Sequence, residues 1–311
     1  MVAPPLPHDT KPGFLKALQM TKAVLGIIGG SGVYDIDGLE NAHWETVSSP
    51  WGEPSDALLH GELDGVEMVF LPRHGRGHVQ SPTTINYRAN IDALKRAGAT
   101  DVISVSACGS FREELAPGTF VIADQFIDRT HAREKSFFGE GFVAHVSMAH
   151  PVCPRLADAL EEAARDAEIP MQRNGIYLAM EGPQFSSLAE SNLYRSWGCD
   201  VIGMTAMPEA KLAREAELPY AIVAMVTDYD CWHPDHDHVT VEQVIKILLS
   251  NADKARSLIK HVAPKLGPER TNSPLGIETV LDTALITAPE KRDPEVARKL
   301  DAVAGRILKK V

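Results

Sequence analysis

Six short stretches of this 311-residue chain set glycines or reactive side chains directly beside or after apolar runs. The first is Gly29-Gly30-Ser31-Gly32, a turn whose backbone N–H groups can approach an anion closely while Ser31 adds a hydroxyl. Gly26, Gly29, Gly30 and Gly32 do not spell G-x-G-x-x-G, and no helical pattern follows at once, which disfavours a dinucleotide fold. The second is Arg73-His74-Gly75-Arg76-Gly77-His78, two guanidiniums and two imidazoles, with arginine's planar donors suited to phosphate. In the third, Ser104 to Ser110, small side chains leave room for a ligand and Ser106 offers a hydroxyl. Cys108 within it reads as a small core residue rather than a nucleophile.

The fourth, Glu181-Gly182-Pro183-Gln184-Phe185-Ser186-Ser187 with Glu190, sets an aromatic beside serines and carboxylates, a combination that stacks on a flat ligand and hydrogen-bonds a sugar. The fifth runs from Gly203 through Met204 and Thr205 to Glu209, where Thr205 or Pro208 would open a helix. The sixth, Thr227-Asp228-Tyr229-Asp230-Cys231-Trp232, puts two carboxylates at the end of an apolar strand, where partial burial raises a pKa toward acid chemistry. Together they describe a site for an anion and a flat heterocycle.

Such side chains converge only if strands carry them to one rim. Apolar runs at 24–28, 66–71, 102–106, 120–123, 176–180, 201–204 and 220–226 alternate with helical spacing at 85–97, 155–167, 188–196, 209–216 and 241–262. This predicts an α/β fold around a mixed, largely parallel sheet flanked by helices. Thr240 and Gln243 pattern as a capping box for the last core helix, and Pro264 and Gly267 mark its end. Pro268–Pro274 reads as a linker, and Val296, Leu300, Val303 and Ile307 space out one amphipathic helix over Asp293–Lys310. The expected organisation is a flexible leader at 1–19, a catalytic domain at 20–266 and a helical tail at 267–311.

A net charge of −11 without clustered Lys and Arg argues against a nucleic-acid partner. Four scattered cysteines form no CxxC, pointing to a reduced, cytoplasmic chain, and no apolar run reaches the ~20 residues a bilayer crossing needs.

The motifs GIIGGSG, PRHGRGH with NYRANI, SACGSFREEL, DQFIDRT, EGPQFSS, AES, GMTAMPEAKLARE and TDYDCW, in this order from Val24 to Val262, carry a resemblance. The chain resembles the trimeric purine nucleoside phosphorylase family, in its branch acting on methylthioadenosine. The resemblance implies the nucleoside phosphorylase fold, phosphorolysis with phosphate as co-substrate, a homotrimer, and no metal or organic cofactor. It implies that Ser31, Arg73, His74, Ser106, Ala107 and Thr205 hold phosphate, that Phe185 and Ser186 line the purine pocket, and that Met204 meets the ribose. Asp228 and Asp230 would read the base, with Asp228 the general acid toward N7. Carboxylates suit the donors of an aminopurine, whereas an asparagine would suit a 6-oxopurine. Val241, Val244 and Ile245 would form an apolar wall at the 5′ end, with His145 reaching in from a neighbouring subunit. Gly203 departs from relatives that carry Asn there, which implies a looser sugar or base contact.

Three rival readings stand beside this one: a 6-oxopurine or methylthioinosine phosphorylase on the same fold, a noncatalytic nucleoside binder, and a metal module built on His233, Asp235, His236, Asp237 and His238. The last stretch reads better as a solvent-exposed loop, because alternating side chains after a proline do not preset a tetrahedral site.

Overall fold

A computed structural model describes residues 21–30, 32–234 and 241–308, without the side chains of Thr21, Val241, Glu242, Gln243, Val244 and Lys246. Eleven strands and seven α-helices follow one another among these residues. They are β1 (Thr21–Lys22), β2 (Val24–Gly29), β3 (Glu40–Glu45), β4 (Leu58–Leu63), β5 (Val66–Pro72), α1 (Tyr87–Arg96), β6 (Asp101–Ser110), β7 (Phe120–Asp128) and α2 (Pro154–Asp166). Next come β8 (Met171–Ala179), α3 (Leu188–Ser196), β9 (Val201–Gly203), α4 (Glu209–Glu215), β10 (Tyr220–Asp228), α5 (Val241–Leu266), β11 (Glu269–Arg270), α6 (Pro294–Lys299) and α7 (Gly305–Leu308).

Nine of the strands form one mixed sheet. Its β2 and β6, and all of β10 but Asp228, are buried almost residue by residue, which explains why they read as continuous apolar runs rather than alternating ones. Alternate residues of β2 serve two cores. Leu25 and Ile27 pack with α2 and α5 on one face, while Val24 and Ile28 face α1 and α4 on the other.

Strand β6 decides the shape. It runs parallel to β2 through Ile103 and Ser104, parallel to β10 along most of its length, and antiparallel to β9 at Gly109 and Ser110. Since β10 also pairs with β7, β7 with β8 and β8 with β9, these five strands close into a ring. The ring gathers the ends of β6, β9 and β10 at one rim.

Several features differ from the sequence expectation. Strands β3 and β4 extend the sheet where none was expected, because β3 is exposed throughout and shows no apolar pattern. The signal for the β4–β5 hairpin was Asp64-Gly65, both at positive φ (51° and 76°) between paired Leu63 and Val66, as a two-residue primed turn requires. The expected single helix over Asp293–Lys310 is instead α6 and α7 separated by turns at 301–304, because Leu300, Val303 and Ala304 are all driven into the core beside α1 and α4. The Thr240 cap lies outside the described residues, and α5 continues through Pro264 to Leu266 before Gly267 turns at φ 67°.

The segment expected as a linker is fastened along its length. Strand β11 pairs with β1, and Arg270 is buried in ion pairs with Asp101 and Glu278. Ile277, Leu281 and Leu300 complete the two cores.

Candidate active site

At the ring's rim, β6 presents Ser106 and the loop after β9 presents Thr205, both buried, with their hydroxyl oxygens 2.6 Å apart. Ser106 Oγ also reaches the carbonyl of Ala107 at 3.1 Å. Ser31 lies outside the described residues.

Arg73 leaves the end of β5 and turns inward. Its guanidinium is buried and donates to Glu209 at 3.0 and 3.3 Å, to the Val105 carbonyl at 3.0 Å, to Ser104 Oγ at 2.6 Å and to the Ile28 carbonyl at 3.3 Å. At most one N–H, on Nη1, is left without an acceptor among the described residues. Arg73 therefore acts as a hub joining β2, β5, β6 and α4 rather than as a fork open to an anion. The other guanidinium of the cluster, Arg76, pairs with Asp56.

His74 follows, stacked on His78 with ring centres 4.2 Å apart. Burial, reinforced by the charge of Arg73, pushes its pKa down to about 4, so the ring is neutral at physiological pH. Its Nδ1 lies 2.9 Å from the Gln80 carbonyl, which can only accept, so the proton sits on Nδ1 and Nε2 is left as an acceptor. Such a ring receives the hydroxyl of a protonated phosphate, or becomes a donor once an anion draws a proton to it.

Asp228 and Asp230 stand across the rim against Gly109. A β-carbon at Gly109 would lie 2.9 Å from Asp228 Oδ1 and 3.3 Å from Asp230 N, so the glycine of the SACGS motif makes room for the acidic pair. Burial raises the pKa of both carboxyls, and the charge of Asp228 adds to the rise at Asp230. Thr227 Oγ1 has one hydrogen and two neighbours, the Cys108 carbonyl at 3.1 Å and Asp228 Oδ2 at 2.6 Å. Thr227 donates to either of them, and its bond to Asp228 Oδ2, like that from Asp230 N–H, favours the carboxylate against burial. Asp228 Oδ1 meanwhile accepts from Asp230 N–H at 2.8 Å. Burial thus moves Asp228 toward the protonated form that a general acid needs. Cys108 is buried, its thiol pushed up by burial and by the charge of Asp228, and is no nucleophile.

Ser186 is buried beside Met180, and its carbonyl accepts from Cys231 Sγ at 3.4 Å, tying this loop to the Asp228–Trp232 turn. Phe185 is 52% exposed. Glu190, instead of pointing at a sugar, closes a capping box with Ser187 at the start of α3.

A residue that sequence reasoning did not single out, Arg133, holds this half of the site together with Glu181. Arg133 is buried and donates to the carbonyls of Met204, Met207, Met180 and Glu181 as well as to the Glu181 carboxylate. One side chain thereby fixes the Met204 loop against the Phe185 loop. Its sequence setting, among the charged residues of 131–135, gave no signal. Burial alone would raise the Glu181 pKa, but donors from Thr83, the His131 and Ala132 N–H groups and Arg133 hold it down at about 2. Glu181 therefore contributes stability that is complete above the ordinary glutamate pKa of ~4.3 and lost as pH falls through about 2. The melting temperature of wild type should exceed that of Glu181→Gln near neutrality, with the gap narrowing steadily from pH ~4.3 toward 2. A gap independent of pH would show that the carboxylate's charge is not what matters.

At the far end, the side chains of Val241 and Val244 lie outside the described residues, and Ile245 on α5 is 49% exposed. His145 is exposed, with its backbone N–H bonded to the Ala284 carbonyl. His233 meets Glu113, while Asp235, His236, Asp237 and His238 lie outside the described residues. Among the described residues no three His, Cys, Asp or Glu side chains gather to hold a metal ion, and no helix is long and apolar enough to cross a membrane.

This rim belongs to a chain that one family model matches along most of its length: the model of the Phosphorylase superfamily covers residues 24–264. The chain belongs to the phosphorylase superfamily. It is 69% identical over 285 residues to the S-methyl-5′-thioadenosine phosphorylase of Rhodospirillum rubrum, covering 92% of this chain and 97% of that one. It is 64% identical to the Bradyrhizobium diazoefficiens enzyme of the same name, covering 93% of this chain and 100% of the relative. Among solved structures, a methylthioadenosine phosphorylase from an antarctic soil metagenomic library superposes with a TM-score of 0.86 at 47% identity, over 91% of this chain and 99% of that one. An adenosine/methylthioadenosine phosphorylase variant from Schistosoma mansoni, in complex with methylthioadenosine, gives 0.74 at 37% identity, over 79% and 92%. As a member of this superfamily the chain has the mixed α/β fold that its strand pattern implied.

Proposed function

We infer that this superfamily member phosphorolyses S-methyl-5′-thioadenosine to adenine and 5-methylthioribose 1-phosphate, and serves purine and methionine salvage. The observation that carries the reading is Asp228, a carboxyl whose pKa burial raises, on the same rim as the Ser106–Thr205 pair. As the bond from C1′ to N9 breaks, electrons pass to the purine and positive charge develops on the ribosyl ring. Asp228 gives its proton to N7, so adenine leaves neutral, and a phosphate oxygen attacks C1′. Ser106, Thr205, Ala107, His74 and Ser31 would hold that phosphate. Arg73 would add its charge from below, and at most one N–H.

Asp230 would accept from the 6-amino group, which favours an aminopurine. Phe185 and Ser186 would flank the base and Met204 the ribose. Val241, Val244 and Ile245 would supply an apolar wall for the methylthio group, which a 5′-hydroxyl would not be rewarded by. His145, exposed in the single chain, would complete the site from a neighbouring subunit of a homotrimer. The reaction needs no organic cofactor or metal, and the enzyme is proposed to act in the cytoplasm.

The test is a substrate panel of methylthioadenosine, adenosine, methylthioinosine and inosine, each with and without phosphate. Phosphate-dependent release of adenine, fastest from methylthioadenosine, is expected. Preference for an oxopurine would overturn the base assignment, and nucleoside binding without phosphate-dependent cleavage would overturn the reaction.

A further inference from the structure

Tyr177 on β8 is fully buried, and its hydroxyl forms no hydrogen bond of good geometry with any described residue. A buried hydroxyl left unsatisfied costs stability that a phenylalanine would avoid, so the oxygen calls for a use. Room for it exists because position 203 is glycine. A β-carbon on Gly203 would lie 1.8 Å from the Tyr177 oxygen and 2.7 Å from Cζ. The departure at Gly203 thus has a physical reason: the phenol occupies the space that any side chain there would need.

The polar company of this oxygen is the anion site. Burial, followed by the Cys108 thiol, pushes the Tyr177 pKa up to about 12, while the hydroxyls of Thr205 and Ser106 pull against that rise. Those two hydroxyls own two protons. In the arrangement described, one proton is used between them across 2.6 Å and the Ser106 hydroxyl also leans on the Ala107 carbonyl, so the pair has little to offer an incoming anion. A third O–H donating into the pair changes the count, because the pair then no longer has to satisfy itself.

We propose that Tyr177 is a positioning residue for phosphate: its O–H donates into the Ser106–Thr205 pair and frees both of their protons to turn toward the anion. This rests on the phosphorolytic reading, in which that pair faces phosphate. Tyr177 touches neither the nucleoside nor the breaking bond, so its removal should appear in the KM for phosphate and not in turnover at saturation.

Steady-state kinetics of Tyr177→Phe, which keeps the ring and its packing, make the test. The phosphate KM should rise about five- to tenfold, the loss of one neutral hydrogen bond, with kcat and the KM for methylthioadenosine within about twofold of wild type. Gly203→Ala approaches the same oxygen from the other side and should raise the phosphate KM as well. It supplies the answer if Tyr177→Phe fails to fold. An unchanged phosphate KM in whichever variant folds overturns the proposal, as does an equal loss in kcat and in both KM values. Thr205→Val separates the two levels. If it raises the phosphate KM while Tyr177→Phe does not, only the Tyr177 role falls. If neither variant moves it, the assignment of phosphate to this pair falls too.

Discussion

Asp228→Asn is expected to lower turnover of methylthioadenosine by about 10²- to 10⁴-fold, the range lost with a general acid. Asparagine keeps the size of the side chain and an acceptor for the Asp230 N–H, so the turn should hold its shape. It can direct an N–H at N7 but has no proton to give away. The adenine anion must then leave unprotonated, and the cost falls on kcat. The phosphate KM should change little, because among the described residues the hydrogen bonds of Asp228 go to Thr227 and Asp230 and not to the hydroxyl pair. Single-turnover release of adenine, compared between wild type and variant, checks this, and undiminished turnover in a folded variant would remove the acid role.

The second large effect concerns Arg73 and Glu209, both almost wholly buried and joined by two contacts, with Tyr220 also donating to Glu209 at 2.9 Å. The guanidinium overcomes the burial that would raise the Glu209 pKa, so the pair is ionised inside the core. Arg73→Met leaves that carboxylate without its cation, and breaking one partner of a buried pair costs roughly 3–5 kcal/mol of unfolding stability. The double variant Arg73→Met/Glu209→Met should recover much of this, because two apolar side chains need no partner. Activity should not recover with it, for the positive charge beneath the proposed phosphate site is gone in both proteins. Chemical denaturation of the four members of this cycle measures the coupling. A single variant within about 1 kcal/mol of wild type, or a double variant as unstable as Arg73→Met, would show that the pair is not what holds β5 to α4.

The site was legible in sequence to the extent that its chemistry sits next to its scaffold. Strands β2, β6 and β10 are buried on both faces, so their apolar runs stood out, and the residues that follow them are glycines, hydroxyls and acids that have no reason to be there in a plain turn. Arg133 and Tyr177 were missed for the opposite reason: each acts across the fold, on carbonyls or hydroxyls far away in the chain, and nothing local marks it. The exposed β3 carried no pattern at all, and the division of the tail into α6 and α7 follows from contacts with α1 and α4 that periodicity does not encode.

By itself, then, the sequence determined the fold class, the six strand-end motifs and the family, because period, turn chemistry and residue type are local properties of a chain. Only the tertiary structure decided that Arg73 faces inward, that Gly203 yields its space to a phenol, and that burial raises the pKa of Asp228. Those outcomes depend on which polar groups are buried together. The closing of β6, β10, β7, β8 and β9 into a ring decides that by bringing distant segments within hydrogen-bonding distance where water cannot substitute.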